Sequence, residues 1–334
     1  MGGGPSTAAL AAAVSEAGGL GFLAAGYRTP DAVRDEIAEL RLLTERPFGL
    51  NVFAPGPAST DSAALEGYAD AIRAEAARLG VEPGEPRHDD DHWEAKLELA
   101  REERVPVVSF TFGCPDAGVV GSLQEAGCAV WVTVTTPEEA AAAAGVGADA
   151  LVVQGIEGGG HRGTFDPATP GDIGLLALLQ LVGAVTDLPL VATGGIATGR
   201  GVAAVLAAGA AAAQLGTAFM LTPEAATSPA HREALGGEGR TALTRAFTGR
   251  TARGIENRFM LEHEEAPLAY PEVHNLTAPL RAAARERGDA EGFHLWAGQA
   301  YPLAAEGVAA GELVRRLAGE AREALRTAAL KASG

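Results

Sequence analysis

The residue types best suited to chemistry are three glycine-rich segments and the histidine embedded in one of them. They are Gln154-Gly155-Ile156-Glu157-Gly158-Gly159-Gly160-His161-Arg162-Gly163, Thr193-Gly194-Gly195-Ile196 and Gln214-Leu215-Gly216-Thr217. A glycine has no Cβ, so its backbone N–H can come close to a phosphate. Gly194-Gly195 and Gly216-Thr217 therefore form a candidate anion cradle, with the Thr217 hydroxyl as a further donor. Any single pair reads equally as a tight turn; two pairs in successive loops, with a third glycine-rich loop before them, point to a ligand site. Neither pair has the GxGxxG spacing of a dinucleotide fingerprint. An imidazole titrates near neutrality, so His161 could take a proton or bind an anion.

The elements that position these segments follow a repeated grammar. An Ala-rich helical stretch ends in Gly, and a short apolar run follows. This occurs at Glu16-Ala17-Gly18-Gly19, Glu125-Ala126-Gly127, Gly145-Val146-Gly147-Ala148 and Ala208-Gly209. Glycine stops each helix, and continuous apolar runs suit parallel strands buried on both faces. Strands are expected near 20–24, 48–52, 105–110, 129–134, 150–154, 190–193 and 212–216. Helices are expected near 6–17, 31–44, 116–126, 137–144, 172–185 and 199–208. Thr29-Pro30 and Thr136-Pro137 are cap and first-turn proline pairs. The fold class is therefore α/β, a (β/α)8 TIM barrel whose first strand is missing, since only seven strands are visible. Residues 1–54 and 105–225 form the barrel, 55–104 a helical insertion with helices near 62–79 and 92–103, and 226–334 a mostly helical tail.

Composition narrows the function classes. The 334 residues carry a net charge of −17 and only 5% aromatic side chains, which argues against nucleic acid as a partner. No apolar run is long enough to span a membrane, and no signal-peptide core is visible. Two cysteines, Cys114 and Cys128, form neither a disulfide framework nor a CxxC metal motif, which favours the cytoplasm. The start Met1-Gly2-Gly3-Gly4-Pro5-Ser6 matches a myristoylation pattern but reads better as a barrel loop.

The segment 154–163 resembles the Gly-Gly-His motif of the nitronate monooxygenases, formerly 2-nitropropane dioxygenases. Gly3-Gly4-Pro5-Ser6-Thr7, Phe48-Gly49-Leu50-Asn51-Val52-Phe53, Thr248-Gly249-Arg250-Thr251-Ala252-Arg253-Gly254 and Leu295-Trp296-Ala297-Gly298-Gln299 extend the likeness through the tail. The resemblance implies FMN at the barrel mouth, its phosphate on Gly194, Gly195, Gly216 and Thr217. It implies that Asn51 and Gln154 reach the flavin ring or ribityl chain and that Gly159 and Gly160 lie against the flavin, with Gln214 beside the cradle. His161 would face the substrate, as a base on a nitroalkane or as a binder of nitro oxygens. The implied reaction oxidises a small nitronate or nitroalkane with dioxygen to a carbonyl compound and nitrite. Such proteins usually begin with a strand ending in Pro-Met, so the first strand is expected upstream of Met1 and the start is expected to be misplaced. The alternatives are an enoyl-ACP-reductase-like NAD(P)H flavoenzyme, and a non-catalytic flavin- or phosphate-binding barrel.

The remaining chemistry-bearing residues weigh less. No metal is expected: His88-Asp89-Asp90-Asp91-His92 reads as a solvated acidic turn capping the helix at Trp93. Cys114 follows a strand, but no base for a nucleophilic thiol is visible. Ser109 and Thr111 are better candidates for lining the substrate pocket, and Phe293-His294-Leu295-Trp296 either folds over the site or packs ordinarily.

Overall fold

A computed structural model describes residues 1–169 and 171–333. The chain opens with α1 (Ala8–Glu16), β1 (Gly21–Ala24), α2 (Pro30–Leu43) and β2 (Phe48–Phe53). Helices α3 (Ser62–Ala71), α4 (Arg73–Leu79) and α5 (Trp93–Glu102) then precede β3 (Val107–Thr111). The alternation resumes with α6 (Ala117–Glu125), β4 (Ala129–Val134), α7 (Pro137–Gly145), β5 (Ala150–Gln154) and the two-residue β6 (Gly160–His161). It continues through α8 (Leu175–Gly183), β7 (Leu190–Thr193), α9 (Gly199–Ala207) and β8 (Ala212–Gln214). The remainder holds α10 (Pro229–Leu235), β9 (Thr241–Thr244), β10 (Ala252–Ile255), α11 (Arg258–Glu262), α12 (Glu272–Glu286) and α13 (Ala310–Ala332).

The local reasons are those the sequence carries. Thr29 and Thr136 accept hydrogen bonds from Ala32 and Glu139 N–H, with Pro30 and Pro137 in the first turn. Gly127 and Gly147 take φ of +91° and +90°, the left-handed conformation that turns the chain from helix into strand. Strands β1, β2, β3, β4, β5, β7 and β8 form one sheet in that order, each pair parallel. Leu23, Leu50, Val108, Val130, Val132, Leu151 and Ala192 of these strands are all 0% exposed.

The sheet curls. Side chains from all seven strands line one cavity, and Phe22 of β1 lies 5.7 Å from Trp131 of β4. This is the barrel architecture with one position open, because β1 and β8 end the sheet and pair only inward. Helix α13 packs on both α1 and α9, the helices that flank that opening. Leu313 and Leu317 of α13 join Leu10 and Phe219 in a buried cluster, each leucine stabilising by roughly 2 kcal/mol.

Two features depart from the sequence reading. The expected helix over 62–79 is two helices that meet at Ile72. The tail also contains β9 and β10, and β10 pairs antiparallel with β6 as well as β9. That small sheet escapes sequence reading because β10 is only four residues, rich in Arg and Gly, and is held by a segment some ninety positions away. The same pairing brings Ala252 opposite His161. Helices α3 and α4 share a core with the tail: Tyr68, Ile72 and Leu79 pack with Phe247, Leu276 and Leu280.

Candidate active site

The strands' C-terminal ends open into a cavity of about 1200 Å³. In a barrel those ends are where ligands bind. Every catalytic, cofactor and pocket candidate named from the sequence lines it: Asn51, Ser109, Thr111, Gln154, Gly159, Gly160, His161, Gly194, Gly195, Gln214, Gly216 and Thr217. Although the chain has 43 acidic residues, no Asp or Glu is among the lining residues, while Arg281 and Arg285 are. The cavity therefore favours anions.

The glycine side of the cavity is built for close approach. Among the described residues, the backbone N–H groups of Gly194, Gly195 and Gly216 have no hydrogen-bond acceptor. Gly194 takes φ +112°. The Thr217 hydroxyl accepts from Gly298 N–H at 3.1 Å, which leaves its own proton to donate. Gln214 Oε1 is buried without a partner among the described residues. Free backbone donors, a free hydroxyl proton and an orphaned amide oxygen fit a phosphorylated, hydrogen-bonding cofactor. Asn51 donates from Nδ2 to Ser109 Oγ at 2.8 Å and to Thr111 Oγ1 at 3.0 Å. The hydroxyls of Ser109 and Thr111 thus hold the Asn51 amide, whose Oδ1 has no partner among the described residues.

The loop carrying His161 is clamped rather than loose. Gln154 donates to the His161 carbonyl at 3.0 Å and accepts from Gly163 N–H at 2.8 Å, so both ends of its amide serve the loop. Buried arginines donate to carbonyls along it: Arg162 to Gly155 at 2.6 Å, Arg253 to Ile156 at 3.1 Å, and Arg250 to Arg162 and Thr164. Gly159 abuts the 297–298 segment so closely that a Cβ there would lie 2.4 Å from Gly298 N. This contact, invisible in the sequence, is why the loop needs glycine at that position.

His161 projects into an aromatic enclosure. Its ring lies 5.5 Å from Phe112, 5.9 Å from Tyr270 and 5.5 Å from Trp296. Nε2 lies 2.9 Å from Thr248 Oγ1, which is also 3.2 Å from the Arg250 carbonyl. The hydroxyl has one proton. Given to Arg250, it leaves Nε2–H on His161 and a bare Nδ1; given to Nε2, it leaves Nδ1–H. Thr248 thus sets whether His161 accepts or donates towards the cavity. Burial, reinforced by the nearby Arg250 and Arg281 charges, lowers the His161 pKa to about 3, so the ring is neutral.

Sequence reasoning missed several lining residues. Tyr27 and Phe112 follow the ends of β1 and β3 and take φ of +66° and +81°, strain of the kind that gathers at functional sites. Their position just past a strand was a usable signal. His274, Ala278, Arg281 and Arg285 line the cavity from one face of α12, and their helical spacing was the only hint. Phe293, His294 and Trp296 do fold onto the site.

The acidic turn is exposed at His88, Asp90 and His92, as its composition suggests, but it does not cap the helix and one of its acids is tied inward. His92 occupies the N-cap of α5 in a left-handed conformation and makes no side-chain cap. Asp91 is half-buried: its Oδ2 lies 2.8 Å from Lys96 Nζ, which is wholly buried, and its Oδ1 accepts from Tyr27 N–H at 3.0 Å. The pair pins the strained Tyr27 from the insertion side. No metal-binding group of His, Cys, Asp or Glu exists among the described residues. Burial pushes the Cys114 thiol up to about 11, the opposite of an activated nucleophile.

Burial lowers the pKa of five histidines: His161 to about 3, His231 to about 4, His274 and His294 well below their ordinary value, and His263 in the same direction. The unfolded chain protonates them near 6.5, so it binds more protons than the native state below that pH. Stability is fully present above pH 6.5 and is lost as the pH falls, by roughly 1.4 kcal/mol per pH unit for each group. Urea midpoints taken between pH 7.5 and 5 are expected to drop steeply below 6.5; a flat profile would contradict neutral burial.

Fold and cavity define a class: a (β/α)-barrel enzyme with a ligand-sized cavity at the strand ends, one side of it lined by glycines. The chain belongs to the nitronate monooxygenase family, which its residues 1–320 match, and is thus an oxidoreductase. It is similar to a nitronate monooxygenase of Pseudomonas aeruginosa, 45% identical with 96% of this chain and 94% of that protein covered. It is similar to the crystal structure of nitroalkane oxidase from Streptomyces ansochromogenes, with TM-score 0.95, 53% identity, and 98% and 95% of the two chains covered. It also resembles FabK from Thermotoga maritima, with TM-score 0.77, 29% identity, and 98% and 92% covered. No helix among the described residues is long and apolar enough to cross a membrane.

Proposed function

We propose that this chain oxidises alkyl nitronates with dioxygen, releasing a carbonyl compound and nitrite, with FMN as its cofactor. The observation that carries the reading is one cavity combining the glycine cradle, a neutral His161 and a lining without carboxylates. Gly194, Gly195, Gly216 and Thr217 would hold the phosphate, Gln214 and Asn51 the polar atoms further in, and Gly159 and Gly160 the flavin face. Gln154 would serve by fixing the loop. When bound, the flavin supplies the two-electron redox chemistry between substrate and dioxygen. His161 with so low a pKa is a weak base, which favours hydrogen-bond donation from its Nδ1–H to the nitro oxygens, in the tautomer where Thr248 gives its proton to Nε2, over abstraction of a carbon-bound proton. The aromatic rings around it exclude water from the reacting atoms.

The proposal divides the chain into an FMN-binding barrel of residues 1–54 and 105–225, an insertion of 55–104 and a tail of 226–334 that completes the pocket. Two free cysteines fit a reducing cytoplasm. The test is the absorbance spectrum of the purified protein, chromatography of the released cofactor, and coupled measurement of oxygen uptake and nitrite formation with a preformed nitronate. FMN together with nitrite formation supports the reading; a colourless protein, or flavin without nitrite, retires it.

A further inference from the structure

The half of the cavity opposite the cradle is walled by the tail, and its polar groups are donors. Arg281 is only 7% exposed and lines the cavity. Its Nε donates to Thr277 Oγ1 at 3.0 Å, and Nη2 to the His274 carbonyl at 2.7 Å and to His274 Nδ1 at 3.2 Å. Among the described residues, Nη1 makes no hydrogen bond and no carboxylate forms a salt bridge with this guanidinium. Surface arginines such as Arg34, Arg41 and Arg78 all have carboxylate partners. An arginine withdrawn from water without an anion is costly, by several kcal/mol. Arg250 and Arg253 are buried without carboxylates too, but they donate to carbonyls of the His161 loop, whereas Arg281 is the one of the three that lines the cavity.

Its neighbours are donors too. A guanidinium cannot accept, so His274 Nδ1 is the bare nitrogen and its Nε2 carries the proton. The His274 ring stacks on Tyr27 with centroids 4.1 Å apart. Tyr270 donates its hydroxyl proton to Tyr27 at 3.2 Å, leaving the Tyr27 proton free to donate. Tyr27, His274 and Arg281 all line the cavity on the His161 side: Tyr270 touches both the His161 and His274 rings. Burial lowers Arg281 to about 10, which keeps it charged at neutral pH.

We propose that Arg281, with the His274 N–H and the Tyr27 hydroxyl beside it, anchors the negative charge of the substrate and selects nitronate anions over neutral nitroalkanes. The proposal rests on the functional reading above. A charge-assisted hydrogen bond from a desolvated guanidinium is among the stronger contacts a small anion can make. A neutral nitroalkane supplies no charge to offset the buried cation.

The test compares wild type, Arg281→Gln and Arg281→Lys, each purified with its bound cofactor. Inorganic nitrite is the probe, titrated while the thermal midpoint and the cofactor absorbance are followed. Nitrite is expected to raise the midpoint of wild type, to do so weakly in Arg281→Lys, and not at all in Arg281→Gln. With preformed substrates assayed before they equilibrate, Arg281→Gln is expected to raise KM for a nitronate at least ~10-fold while kcat and the KM for the neutral nitroalkane stay within about 3-fold. Nitrite binding by Arg281→Gln equal to that of wild type, or none by wild type, overturns the assignment. So does a fall in kcat with unchanged KM, the result expected of a purely structural arginine. Should Arg281→Gln not fold, Arg281→Lys decides, since an undiminished nitrite response there overturns it. Arginine-dependent nitrite binding without nitronate turnover would retire the functional reading and leave the anion anchor standing.

Discussion

Gly216→Asp is expected to fold normally and to purify without flavin, its affinity for added FMN reduced at least ~100-fold, or about 2.7 kcal/mol. The expectation follows from three local facts. Gly216 has φ −111°, which any residue adopts. A Cβ there would meet only the flexible Met1 side chain at 3.5 Å, an ordinary contact. The added carboxylate would stand among N–H groups left without acceptors, where the phosphate is proposed to lie. Charge repulsion and lost donors then act on the cofactor and not on folding. Gly216→Ala is the control and should bind FMN within a few-fold of wild type. Equal FMN binding by the aspartate variant, measured by fluorescence quenching, would move the phosphate elsewhere in the cavity.

His161→Ala is expected to keep its flavin and lose at least ~10-fold in nitronate turnover, or about 1.4 kcal/mol of barrier. Flavin should be retained because the loop holds its shape through backbone and arginine contacts, not through the imidazole: Gln154 grips the His161 carbonyl, and Arg162, Arg250 and Arg253 hold neighbouring carbonyls. Turnover should fall because the ring lies at the cavity within a cage of aromatic groups, and alanine removes its ring nitrogens from the place where the substrate is proposed to bind. Thr248→Val removes the hydroxyl that sets the tautomer and should show a smaller loss in the same direction. Unchanged steady-state kinetics for His161→Ala would remove His161 from the reaction altogether.

Much of this was legible in the chain itself. The parallel strands could be read because each is a short, continuous apolar run behind a helix-stopping glycine, signals that act within a few residues. The cradle was legible for the same reason: Gly194-Gly195 and Gly216-Thr217 follow their strands directly, and barrel topology sends all strand ends to one face. The position of His161 on that face followed from its neighbours Gly158, Gly159 and Gly160.

The substrate side was not legible. Tyr270, His274, Arg281 and Trp296 come from a tail whose local pattern is that of an ordinary amphipathic helix and loop. Asp91 reads as one more surface acid until Lys96 is found buried against it and Tyr27 is found hanging from it. The sequence by itself determined the strands, the turns that end them and the donors they expose, because those depend on neighbouring residues. Only the tertiary structure decided which cations face the cavity, which tautomer His274 holds and why Gly159 must lack a side chain. Those properties are fixed by contacts between segments tens to hundreds of residues apart, where desolvation and geometry rather than local propensity set the energy.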